Sequence, residues 1–280
     1  MDIGASVELQ KSARLHLVVY GNEPFEEAKQ RIAVEAEKTG VFDSVRLCSP
    51  VDVSPEVKAS ELFKARRGAG YWIWKPDIIL STLDRVKDGE IVMYCDAGCR
   101  LYPSSEWRRI IRKLDGKDML AFRMWHRTRP WTRRECLERF KDNPAGWENG
   151  FQYFATVVLF RKTGFSLSFV KEWLSEMLDH PDIVSDVPAE NRSKQHPGFV
   201  ENRHDQSVFS ALVHKYAGNG RIALSWEHSD SLDPFSRQAI FNARMRKAPM
   251  VVPPLLQRIV YAVSKRICFP LFSVLDRHFT

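Results

Sequence analysis

Apolar residues recur along the chain with two different periods, and each change of period delimits an element. Leu15-His16-Leu17-Val18-Val19-Tyr20 is a nearly continuous apolar run closed by Gly21, the pattern of a strand covered on both faces. Pro24 to Thr39 places Phe25, Ala28, Ile32, Ala33 and Ala36 at helical spacing, with a proline in the first turn and Gly40 as the stop. Phe42 to Leu47 reads as a second strand, Glu56 to Lys64 and Pro76 to Val86 as helices, and Ile91 to Tyr94 as a third strand. This β-α-β-α-β order predicts an α/β domain, a Rossmann-like half with a mostly parallel central sheet. Farther on, Ser104 to Leu114 reads as helix, Met119 to Met124 and Phe154 to Phe160 as strands, and Ser166 to Leu178 as an amphipathic helix. Pro181 to Gly198 is polar and proline-bearing and reads as a loop. Asp205 to Tyr216 returns to helix and Arg221 to Trp226 to strand.

The pattern shifts once more at Pro253-Pro254. Leu255, Leu256, Ile259, Val260, Val263 and Ile267 recur at helical spacing, with Arg258, Lys265 and Arg266 between them. The parse is one domain over residues 1–250 and a C-terminal amphipathic helical tail over residues 251–280. A basic amphipathic helix can lie in an anionic membrane interface, and a helix packed on its own domain shows the same pattern.

Composition narrows the partners more than the fold. The 280 residues suffice for a full core, and 44% hydrophobic with 28% charged residues is ordinary for a globular protein. A net charge of +7 favours an anionic partner, whether nucleotide, phosphate-bearing lipid, acidic glycan or nucleic acid. The five cysteines (Cys48, Cys95, Cys99, Cys136, Cys268) have no zinc spacing and no CxxC pair, which fits reduced thiols. The polar start Met1 to Arg14 lacks an apolar h-region, and no run approaches the ~20 apolar residues of a spanning helix. The expectation is a cytoplasmic protein, with the inner face of the cytoplasmic membrane as a docking surface.

Two segments carry the chemistry. Ile91-Val92-Met93-Tyr94-Cys95-Asp96-Ala97-Gly98 is an apolar strand ending in a carboxylate and small residues. Ligands of open α/β sheets sit beyond the carboxyl ends of strands, so Asp96 is placed to hold a metal or a sugar, or else it caps a turn. Gly68-Ala69-Gly70-Tyr71-Trp72-Ile73-Trp74-Lys75-Pro76 sets aromatics and a lysine among glycines, a mixture suited to stacking a flat ring and neutralising a phosphate. Lys75 precedes a proline-started helix whose free N–H groups favour anions, and Arg66 and Arg67 lie close in sequence. Trp72 and Trp74 alternate as on one face of an extended segment, either stacking on a base or sugar or packing in the core. The run Arg123 to Arg134 interleaves Arg123, His126, Arg127, Arg129, Arg133 and Arg134 with Trp125 and Trp131. It suits an acidic glycan acceptor better than single-stranded nucleic acid, since no nucleic-acid module accompanies it; a solvated surface loop is the other reading.

The Gly70–Pro76 segment, the Tyr94-Cys95-Asp96-Ala97-Gly98 strand end and His204-Asp205-Gln206-Ser207-Val208-Phe209-Ser210 together resemble a group of bacterial glycosyltransferases. These act on cell-surface polysaccharides such as capsule and O-antigen and have the nucleotide-diphospho-sugar transferase (GT-A) fold. The resemblance runs from about Tyr20 to Phe209, with the motifs in the same order. It implies a hexosyltransferase-like enzyme that uses a nucleotide-sugar donor and a polysaccharide or lipid-linked acceptor. It implies Asp96 as a ligand for Mn²⁺ or Mg²⁺ with His204 as a second ligand, and Asp205 as the general base or a holder of sugar hydroxyls. Tyr20, Arg67, Tyr71, Trp74 and Lys75 are the residues it assigns to the nucleotide. One departure stands out: such enzymes usually carry Asp-x-Asp at the strand end, and here Asp96 alone is acidic, with Tyr94 two residues before it. A nucleotidyltransferase lacks support, because no glycine-rich basic loop follows the first strand; the non-enzymatic alternative is a basic module binding anionic glycan or nucleic acid.

Overall fold

Strands β1 (Leu15–Tyr20), β2 (Ser44–Cys48) and β3 (Ile91–Cys95) pair in parallel, β1 in the middle. The computed structural model describes residues 13–226, 229, 238–244, 255, 256, 259, 260 and 263. The first helix, Glu26–Thr39, joins β1 to β2 and ends where Gly40 takes a left-handed φ of 67°, as its sequence position predicts. Side chains alternate along β1 and β3 into two cores. Leu17, Val19, Met93 and Cys95 face the Glu26–Thr39 and Glu106–Arg112 helices; Val18, Tyr20, Val92 and Tyr94 face the Trp74–Leu83, Gly164–Asp179 and Asp205–Tyr216 helices. A sheet buried on both faces explains why these strands read as continuous apolar runs.

The mostly parallel sheet expected from the sequence is corrected here. The seven-stranded sheet has the order β2-β1-β3-β7-β5-β6, with β8 (Ile222–Trp226) on the other side of β5. β7 (Val157–Arg161) runs antiparallel to β3, and β5 (Met119–Arg127) is antiparallel to both β7 and β6 (Phe151–Tyr153). β8 rejoins β5 in parallel. A short second ladder, β4 (Arg100–Leu101) with β9 (Ile240–Phe241), is also antiparallel, so the described sheets are mixed and antiparallel pairings predominate. The reason lies in one connection. A parallel neighbour for β3 needs a crossover helix, whereas β7 follows β6 after only residues 154–156 and continues in its direction.

Other boundaries shift locally. The strand expected over Phe154 to Phe160 begins three residues later, at Val157, because Phe154, Ala155 and Thr156 form the irregular link between β6 and β7. Glu56 to Lys64 divides into a helix, Pro55–Ala59, and a 3-10 turn, Leu62–Lys64. Pro181 to Gly198 contains a helical turn, Pro181–Val184, and a 3-10 segment, Ala189–Lys194. The four described cysteines, Cys48, Cys95, Cys99 and Cys136, are buried free thiols. Among the described residues no helix is long and apolar enough to cross a membrane. Of the tail, Leu255, Leu256, Ile259, Val260 and Val263 have helical backbone, and Leu255, Leu256, Val260 and Val263 are exposed. The placement of Ile267, Arg258, Lys265 and Arg266 lies outside the described residues.

Candidate active site

The extended Trp72–Trp74 segment expected from the alternation is not extended: Trp72 ends a left-handed turn, Ile73 is right-handed, and Trp74 opens a helix. Gly68, Ala69, Gly70, Tyr71 and Trp72 take consecutive φ values of 59°, 50°, 100°, 51° and 60°. Glycine tolerates this region, while each L-residue in it costs about 1–2 kcal/mol, so Ala69, Tyr71 and Trp72 store about 3–6 kcal/mol of local strain. The surroundings hold the turn closed. A Cβ at Gly70 would lie 2.7 Å from the Phe63 Cα, and one at Gly68 would lie 2.4 Å from the Trp72 ring. Trp74 Nε1 donates to the Gly68 carbonyl at 2.9 Å. Arg67 pairs with Asp186 at 3.1 Å, and the Tyr71 hydroxyl donates to the same carboxylate at 3.2 Å.

Right-handed helix resumes at Trp74–Leu83, two residues earlier than the proline suggested, which puts Lys75 inside the first turn. The two tryptophans separate. Trp74 stacks on Tyr20 at 3.7 Å between centroids, and Trp72 stacks on the His204 ring at 5.4 Å. Tyr20 and Trp74 are both nearly fully buried, and burial pushes the Tyr20 phenol up to about 12, so it stays neutral.

Lys75 is 3% exposed and carries the central charge of the site. Its ammonium lies 2.8 Å from Asp205, 3.6 Å from Asp96 and 3.2 Å from the Ala155 carbonyl. The carbonyl is presented because residues 154–156 leave the ladder where β3 ends: Asp96 N donates to the Thr156 carbonyl at 2.9 Å. Burial alone would lower the lysine pKa, but Asp205 and Asp96 outweigh it and the pKa is raised. Asp205 opens the Asp205–Tyr216 helix and is also buried. Burial lifts its carboxyl to about 6 despite the opposing pull of Lys75. Asp96 is more open, and the Tyr94 hydroxyl donates a short hydrogen bond to its Oδ1. Burial first, and the Asp96 charge second, raise the Tyr94 phenol well above its ordinary value, so it remains a donor.

Two cavities meet at Asp96. The first, about 590 Å³, has Tyr20, Trp72 and Trp74 in its wall with Arg66, Arg67 and Arg244. The second, about 320 Å³, is lined by Lys75, Asp205, Ala155, His126 and Arg203 among others. Asp96, Arg67, Trp72, Asn242 and Arg244 border both. Of the residues singled out from the sequence, Tyr20, Arg67, Trp74, Lys75, Asp96, His204 and Asp205 therefore gather at one place. Tyr71 lines neither cavity and instead ties the turn to Asp186.

His204 has a different local role. It is buried, with φ 55° and ψ −123°, and its Nδ1 lies 2.6 Å from the Val184 carbonyl. Its Nε2 faces Asp186 at 3.8 Å, and burial lowers its pKa, which keeps the ring neutral. The donor set expected to hold Mn²⁺ or Mg²⁺, Asp96 with His204, does not fit such an ion at Asp96, because the Lys75 ammonium already lies 3.6 Å from that carboxylate. Among the described residues no group of three or more His, Cys, Asp or Glu is arranged to hold a metal.

The basic, aromatic run Arg123 to Arg134 is largely engaged with the protein itself. Trp125 stacks on Trp226 at 4.7 Å, His126 on Trp131 at 4.8 Å, and Arg127 lies 3.9 Å over the Phe151 ring. Arg133 is buried and bonds Glu135 and Ser185. Only Met124 and His126 of this stretch reach the second cavity. Sequence reasoning missed Asp186, Asn242 and Arg244; it marked Phe154-Ala155-Thr156 as a departure from the resembled family bearing on the acceptor pocket, without giving Ala155 a role. Tyr94 had a signal, since residues two apart on a strand share a face, which puts its hydroxyl beside Asp96. Asn242 and Arg244 had none, because the β4–β9 pairing brings them in from far along the chain.

No family model matches the chain, and no curated protein matches it. Among solved structures it is similar to mouse xyloside xylosyltransferase 1 at 13% identity, covering 76% of this chain and 85% of that one, with a TM-score of 0.41. The galactosyltransferase LgtC, solved with donor and acceptor sugar analogues, is similar at 12% identity over 75% and 72% of the two chains, with a TM-score of 0.40. The bifunctional glycosyltransferase WbbM is similar at 8% identity, covering 78% of this chain and 39% of that chain, with a TM-score of 0.43. With TM-scores below one half, these likenesses assign the chain to no family, and its chemistry has to be read from the two cavities and the charges between them.

Proposed function

We propose that this chain is a glycosyltransferase that moves a sugar from a nucleoside-diphosphate donor to a hydroxyl of a glycan. The observation that carries the reading is the meeting of two cavities at Asp96, one aromatic and arginine-rich, the other holding a buried lysine–carboxylate pair. The first cavity carries three arginines against one carboxylate, which suits a diphosphate, and Trp72 and the Tyr20–Trp74 pair give a base a flat wall. The second cavity receives the acceptor. Asp205 takes the proton of the attacking hydroxyl; a carboxyl at about 6 is ionised at neutral pH yet holds a proton better than an exposed one. Asp96, bordering both cavities, is placed to orient the sugar between donor and acceptor.

The finer reading is a hexosyltransferase-like enzyme building capsule or O-antigen on a lipid-linked acceptor. The exposed Leu255, Leu256, Val260 and Val263 support contact of the tail with an anionic bilayer, where such an acceptor resides. The test is the thermal midpoint of the protein against UDP, GDP and CMP, followed by donor turnover in wild type and Asp96→Ala. Ligand at a hundredfold excess over Kd stabilises the native state by about 2.7 kcal/mol. A midpoint shift with one nucleotide, and turnover lost in Asp96→Ala, supports the transferase. No shift with any nucleotide refutes it and favours a non-catalytic glycan-binding module.

A further inference from the structure

We infer that Lys75 is the built-in cation of this site: its tethered ammonium stands between Asp96 and Asp205, where a divalent ion would be held, and receives the donor's diphosphate in that ion's place. The inference rests on the transferase reading and adds to it how the leaving group is stabilised. An ammonium has three donors. The Ala155 carbonyl accepts one at 3.2 Å, and Asp205 Oδ2 lies at ion-pair distance, 2.8 Å. The side of the ammonium that faces Asp96, at 3.6 Å, is too far for a hydrogen bond, so a donor there is open to a diphosphate oxygen that reaches past Asp96, which borders both cavities, into the second cavity that Lys75 lines.

Three observations set Lys75 against a metal ion. The two carboxylates already share one positive charge, so the ionised triad carries a single net negative charge instead of the two that would attract a divalent cation. A metal drawn to Asp96 and Asp205 would face an ammonium only a few ångströms away. Tyr94 further occupies the Asp96 Oδ1 with its hydroxyl.

The transfer step then balances with the chain's own groups. The bond from the anomeric carbon to the diphosphate oxygen breaks, and its electron pair stays on that oxygen, which accepts the open Lys75 N–H. The acceptor oxygen bonds to the anomeric carbon and gives its proton to the Asp205 carboxylate. Fixed cationic donors aimed at developing charge are an established source of catalysis because they need no reorganisation as the charge appears.

The experiment uses the full chain stripped of metals with EDTA. Free Mn²⁺ is followed by electron paramagnetic resonance without nucleotide, and UDP and GDP are titrated with and without Mn²⁺. Wild type should show no Mn²⁺ binding that Asp96→Asn removes, and nucleotide affinity should be the same in EDTA as in Mn²⁺. Lys75→Met should weaken nucleotide binding in EDTA by about 10–100-fold, the loss of one charge-assisted hydrogen bond, and should gain an Asp96-dependent Mn²⁺ site. Asp96-dependent Mn²⁺ binding by wild type, or nucleotide binding that requires Mn²⁺, overturns the inference while leaving the transferase standing. Nucleotide binding under neither condition overturns both. If Lys75→Met does not fold, the wild-type titrations decide the question alone.

Discussion

Replacing Lys75 by methionine keeps the length of the side chain and removes its charge, leaving Asp205 buried beside Asp96 with no cation. Breaking a buried ion pair by removing one partner costs about 3–5 kcal/mol, because the remaining charge is uncompensated. Proton uptake limits that cost. In wild type the Asp205 pKa in the folded state, about 6, lies above its ordinary 3.8. The folded state therefore binds a proton that the unfolded state has released, and stability falls as pH rises between these two values and is flat above them. Without Lys75 the folded pKa rises further, so stability keeps falling above pH 6. The gap between variant and wild type should widen by up to about 1.4 kcal/mol per pH unit, about 3 kcal/mol from about pH 6 to about pH 8. Lys75 adds no slope of its own there, since its raised pKa keeps it charged in both states, and Tyr94 stays protonated. Urea unfolding followed by tryptophan fluorescence across this range measures the gap. A loss of stability that does not change with pH would falsify the ion-pair account; so would its survival at full size in Lys75→Met/Asp205→Asn, where both charges are gone.

Other outcomes follow from the same geometry. Asp205→Asn should slow transfer by about 10²–10⁴-fold, and wild-type turnover should fall below about pH 6 as the carboxyl takes up its proton, an acid limb absent from the variant. Gly70→Ala should destabilise the protein by more than the ~1–2 kcal/mol of a left-handed alanine alone, because its Cβ meets the Phe63 backbone. Gly89→Ala, at φ +83° with nothing within 4 Å, should cost only the backbone strain, and comparing the two midpoints checks the difference. Asp186→Asn should cost under ~1 kcal/mol, since its pair with Arg67 is about half exposed, and nucleotide affinity should rise as Arg67 loses a competing carboxylate; unchanged affinity would remove Arg67 from the donor site.

The apolar runs of β1 and β3, the Glu26–Thr39 helix and the position of Asp96 at a strand end were all readable from local pattern, because burial and helical spacing are written within a few neighbouring residues. Tyr20, Arg67, Trp74, Lys75 and Asp205 became candidates through resemblance to a family and not through local pattern. Strand direction was not readable: β7 enters beside β3 against the expected sense because it continues β6, and periodicity holds no record of which strand lies next to which. The Trp-x-Trp alternation looked extended, yet tertiary contacts hold residues 68–72 in a left-handed turn that local preference opposes. The charge arrangement also depended on the fold. Lys75 comes from one helix, Asp205 from the start of another, Asp96 from a strand end and the Ala155 carbonyl from an interrupted ladder. Local sequence sets the chemistry of each group, while the distances that make them a site arise only when long-range packing closes the loops between them.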